Sequence, residues 1–126
     1  MPQPALEAFA KWLAERAAHV RSLEAEAAHA LYEKNDRDRY FLLMRNKALF
    51  LQALPDEAEE RLATLPEDAA HEAANRLNKF ATGAEQALEL DSPFYMSALL
   101  YPDEHKQGEP NNLDILAAKF AARAGK

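Results

Sequence analysis

Leu6, Phe9, Leu13, Val20, Leu23, Ala27 and Leu31 recur at intervals of three, four and seven along the first quarter of the chain. At 3.6 residues per turn these positions form one stripe, which predicts a helix over about 4–33. Asn35 and Asp36 interrupt the pattern, and Asp36 is placed to cap a second helix. That helix, about 37–54, is apolar on most of its circumference: Tyr40, Phe41, Leu42, Leu43, Met44, Ala48, Leu49, Phe50, Leu51 and Leu54. A helix with so little polar surface is either central in a bundle or meets a second subunit.

Two related phrases come next, LPDEAEE at 54–60 and LPEDAAH at 65–71. Proline at a first helical position with acids behind it marks a helix start, because proline lacks only an N–H that would be unpaired there and acids complement the dipole. The first phrase predicts a short helix over 56–64, the second a long one over 66–90 with Ala70, Ala73, Leu77, Phe80, Ala81, Ala84 and Leu88 on its stripe. Asp91-Ser92-Pro93 opens a short aromatic segment over 93–101, and PDEHKQGEPNN at 102–112 is a loop by composition. A last helix over 113–124 presents Leu113, Leu116, Ala117, Phe120 and Ala124 on one face. The expected architecture is all-α: an antiparallel bundle of four to five helices, one domain over 1–126.

Composition supports this. The chain holds only three glycines among 126 residues, with one valine and one isoleucine (Val20, Ile115), so a sheet has almost none of its usual material. A net charge of −6 works against general nucleic-acid binding. The absence of cysteine removes disulfides and thiol catalysis and fits a reducing cytoplasm. The first residues have no basic region leading into an apolar core, and YFLLM at 40–44 is far shorter than a membrane span. A cytoplasmic protein without nucleic-acid or membrane partners is expected.

Glu26-x-x-His29 has the spacing used by di-metal sites in helical bundles, and Asp68-x-x-His71 is a looser second match. The face is wrong: at about 100° per residue His29 projects roughly 160° from Ala27, which lies on the apolar stripe. The second helix also has no carboxylate between Asp38 and its end. The same projection strings Glu15, His19, Ser22, Glu26, His29 and Glu33 into one polar line. An ordinary solvated flank is the expected role of that line. The alternative is a surface metal site at His19, Glu26 and His29, which His71 could join. None of the four histidines is followed by the lysine-then-glycine context of helical phosphotransfer domains. The sequence has no cysteine nucleophile, no glycine-rich phosphate loop and no serine in a strained-turn context, so neither a catalytic residue nor a cofactor is expected.

Charge is uneven. Lys34, Arg37, Arg39, Arg45 and Lys47 against Asp36 and Asp38 leave 34–47 at +3, while ten acids and three bases leave 55–91 at −7. The two segments are expected to neutralise each other within one bundle or across a dimer. Residues 94–101, FYMSALLY, are too dense in apolar and aromatic atoms for a solvated linker and are expected to cap the open end of the bundle; the alternative is a groove for a partner, for which tyrosine and methionine are typical. The expected function is a non-enzymatic interaction module that self-associates, for example as a homodimer. Its contact residues would come from Arg37, Arg39, Phe41, Arg45, Leu49, Phe94, Tyr95 and Tyr101.

Overall fold

The computed structural model describes residues 3–101 and 109–125. It contains five helices among them: α1 (Pro4–Tyr32), α2 (Arg37–Leu62), α3 (Glu67–Leu90), α4 (Pro93–Ala98) and α5 (Asn112–Ala124). The fold is an all-α antiparallel bundle, as the periodicity predicts. No described helix is long and apolar enough to cross a membrane.

Local signals set most boundaries. Pro4 occupies the first turn of α1, and the Asp36 side chain accepts from the Arg39 amide at 3.0 Å to start α2. Asn35 takes a positive φ of 51° between them, a conformation asparagine tolerates better than most residues. One expectation fails. The separate helices over 37–54 and 56–64 are a single helix, with Pro55 inside it. Proline there removes the bond to the carbonyl four residues back. Leu51, Leu54 and Ala58 are nonetheless all fully buried, so the core stripe crosses Pro55 in phase and holds both sides in one helix.

α1 packs on α2 and α5, and α2 on α3. Contacts between the elements fix their directions. Arg16 pairs with Glu57, Arg45 with Asp91, and the Gln3 amide donates to the Ala124 carbonyl at 3.1 Å. Arg123 near the end of α5 reaches Asp68 and Glu72 near the start of α3. The four long elements thus alternate in direction around one core. That core is unusually rich in alanine: Ala17, Ala48, Ala58, Ala69, Ala73 and Ala84 have no exposed surface, so helix axes are free to approach closely. Leu6, Phe9, Leu13, Leu77, Leu113 and Phe120 fill the spaces between them.

α5, at 13 residues, is less than half as long as α1. Its first turn meets α1 at Arg21, through the Arg21–Asp114 pair. The rest of the fourth position is taken by α4 and residues 99–101. Leu99 lies against α3 at Gly83, eleven residues beyond Glu72, and eleven residues is about three whole turns. α5 and Leu99 therefore meet the same face of α3, one after the other.

Candidate interaction surface and a buried lysine cluster

The corner between α3 and α4 is built by its own sequence. Asp91 ends α3 in the left-handed conformation. Ser92 caps α4 by accepting from the Tyr95 amide at 3.3 Å, with Pro93 in the first turn. The Ser97 hydroxyl donates to the Phe94 carbonyl at 2.7 Å. This short, tightly closed helix buries Met96 and turns Phe94 and Tyr95 outward, 74 % and 53 % exposed. Their rings meet edge to face at 5.5 Å, and Leu90, the last residue of α3, is 64 % exposed. Arg45 ties α2 to this corner through Asp91 at 2.9 Å.

The structure divides the expected contact residues into four groups. Phe94 and Tyr95 form the α3–α4 corner, with Arg45 bonded beside it. Leu49 stands instead on the outer face of α2 with Leu42, both about half exposed. At about 100° per residue the two project some 140–160° from Lys47, which points inward to α4. Arg37 and Arg39 are exposed at the start of α2, Arg39 facing Glu26 of α1 at 3.7 Å, and Phe41 is half-buried. Tyr101 is part-buried and turns inward to Glu24.

Tyr101 and Lys47 form the chemically most unusual part of the molecule. The Lys47 side chain has no exposed surface. Its Nζ donates to Glu24 Oε2 at 2.9 Å and to the Ser97 carbonyl at 3.0 Å, and lies 5.2 Å from the centre of the Tyr101 ring. The Tyr101 hydroxyl donates to the other Glu24 oxygen at 2.6 Å. Burial lowers the Lys47 pKa, and the Glu24 carboxylate opposes that shift by its charge and hydrogen bond. Burial likewise raises the Tyr101 phenol, and the bond to Glu24 and its negative charge add to the rise; Asn111 acts against it. Leu100, between these contacts and α5, is 6 % exposed and has a φ of 74°.

The cluster escapes a sequence reading that counts Lys47 only as one positive charge among five. A signal is present: Met44, Lys47, Leu51 and Leu54 are spaced by three, four and three, which puts the lysine on the core stripe. Nothing comparable announces Glu24 or Tyr101 as its partners, since the contacts span 23 and 77 residues.

The polar line on α1 is exposed, and its members are engaged separately. His29 Nδ1 lies 3.0 Å from Glu33, Glu26 faces Arg39, and the His19 ring packs on Phe50 at 4.5 Å. His71 is on α3 beside Glu72. Among the described residues no three carboxylate or imidazole side chains gather as a metal would require, so His19, Glu26 and His29 are not brought together. The loop residues Asp103, Glu104 and His105 lie outside the described residues. Charge balance also differs in detail from expectation. Arg45–Asp91 links the basic and acidic segments directly, but Asp68 and Glu72 are matched by Lys119 and Arg123 of α5. Basic Lys47 and Arg39 are matched by acids of α1. No protein-family model, curated protein sequence or solved structure matches the chain.

Proposed function

We propose that this protein is a non-enzymatic, cytoplasmic interaction module that associates with a second copy of itself through the corner between α3 and α4. The observation that supports this reading is the outward placement of Phe94 and Tyr95 on a helix whose other large side chain, Met96, is fully buried. Phe and Tyr each remove roughly 150–250 Å² from water when buried, and aromatic side chains are enriched at the centres of interfaces. Arg45 and Asp91 pair beside these rings and would form a charged rim. A two-fold contact between identical corners would bury the four aromatic rings together, since such an interface uses one patch on both partners.

Native mass spectrometry of the wild type and of Phe94→Glu tests the proposal. The expected result is a species of twice 14.1 kDa for the wild type and a 14.1 kDa species for the variant. A wild type that stays at the mass of one chain at high concentration sinks self-association. A dimer that survives Phe94→Glu but is lost in Leu49→Glu would move the contact to the outer face of α2.

A further inference from the structure

We infer that α4 and the turn through Tyr101 are a separately releasable element, held in the bundle by a buried polar latch centred on Lys47. The inference concerns how Phe94 and Tyr95 are presented, and it stands whether or not they bind a second copy.

Three observations converge on it. First, the element supplies little of its own stability. α4 has six residues, far below the length at which a helix persists alone. From 93–101 only Met96 and Leu100 are buried, while Phe94, Tyr95 and Ala98 face solvent. Second, the element is held in an unfavourable backbone state. A bulky residue with a positive φ is rare, and its cost is tolerated only where the surroundings over-determine it. At Leu100 the surroundings include the bond from the Asn112 amide to its carbonyl at 2.8 Å and the neighbouring Tyr101–Glu24 bond.

Third, Lys47 places a cation on a stripe of α2 that is otherwise apolar, with Met44, Leu51 and Leu54 buried on it. Well-packed apolar side chains in place of a buried ion pair are often neutral or stabilising to a fold. What an apolar residue at this position would not supply is the bond to the Ser97 carbonyl and the cation that balances Glu24. Both act on the placement of α4 and Tyr101. Lys47 joins α2 to the carbonyl at the end of α4, Glu24 joins α1 to the phenol of Tyr101, and the ion pair joins the two arms. The latch therefore spans the element it holds.

Amide hydrogen exchange on the full chain tests this, comparing the wild type with Lys47→Met. The informative amides are those bonded within or across the element: Met96 to Ser92, Leu99 to Met96, Tyr101 to Ala98, and Asn112 to Leu100. Exchange at Leu99 and Tyr101 is expected to accelerate by about tenfold or more in the variant, while core amides of α1 and α5 such as Leu13 and Leu116 stay within about twofold. Tyr101→Phe, which removes only the hydroxyl arm, is expected to act at the same amides with smaller effect, and it decides the matter if Lys47→Met does not fold. Unchanged exchange at Leu99 and Tyr101 overturns the inference. So does a uniform acceleration across all helices, because Lys47 would then support the bundle as a whole.

Discussion

In the half of the bundle where α1 begins, α5 fills the fourth position with apolar side chains. Leu113, Leu116, Ala117, Phe120 and Ala124 are all buried, and Phe120 meets Phe9 edge to face at 5.4 Å. Its start is fixed by a capping box in which Asn111 and Asp114 serve each other's amides. Where α1 ends, the same position is filled by six helical residues and a turn, with one buried methionine, one strained leucine and a lysine–glutamate–tyrosine cluster. Apolar packing is non-directional and tolerates small displacements, whereas hydrogen bonds fix position but contribute modestly to net stability. The two halves should therefore fail differently, one by unfolding the bundle and the other by letting go of a piece of it.

The largest effect belongs to the apolar half. Phe120 has no exposed surface, and Phe120→Ala removes its contact with Phe9 and leaves a void between α1 and α5. The expected cost is about 3–5 kcal/mol, the range for truncating a buried phenylalanine, read as a loss of urea midpoint for the whole chain. A small loss would mean that α5 is not integral to the fold.

Met96→Ala is the matched change in the other half. Met96 is equally buried, and an ordinary core methionine would cost about 2–5 kcal/mol. If α4 is released without unfolding the rest, the global cost cannot exceed the free energy with which α4 docks. The expected global loss is then about 1 kcal/mol, with the remainder appearing as local opening. Equal urea midpoints for Met96→Ala and Phe120→Ala would erase the contrast between the halves.

The two halves are unequally legible in the sequence. α5 is readable in full, because its five stripe positions are the five that are buried, and a short amphipathic helix has one way to bury a face. Asp36 and Ser92 are readable as caps from local chemistry. Pro55 misleads, since the rule that proline ends a helix competes with tertiary burial of Leu51, Leu54 and Ala58, and burial wins. Tyr101 shares one aromatic run with Phe94 and Tyr95, and nothing local separates it from them. Its inward turn depends on the positive φ of Leu100 and on Glu24, a partner 77 residues away, and no local pattern encodes either. The polar line of His19, Glu26 and His29 falls on the correct, exposed face of α1 because helical projection needs only the sequence.

The smallest effect is the alkaline titration of the latch. Tyr101 carries a phenol pKa raised above its ordinary 10.0, chiefly by burial and then by Glu24. A group whose folded pKa is raised contributes stability that is complete below its unfolded value and is lost as pH climbs toward the folded one. Lys47, lowered from 10.5 by burial, has the opposite sign. The unfolded chain holds that proton more tightly, so between the folded value and 10.5 its contribution rises with pH. The two shifts therefore oppose each other near the ordinary phenol pKa of 10.0. The phenol itself is easier to follow, through the near-ultraviolet absorbance of tyrosinate. In the wild type, part of the tyrosinate signal should appear only with alkaline unfolding, and Tyr101→Phe should remove that late part. If the late part survives Tyr101→Phe, the Tyr101–Glu24 bond is not present in solution and the polar half of the comparison loses its second arm. If it disappears in Lys47→Met as well, Tyr101 leaves its part-buried site when Lys47 no longer holds α4.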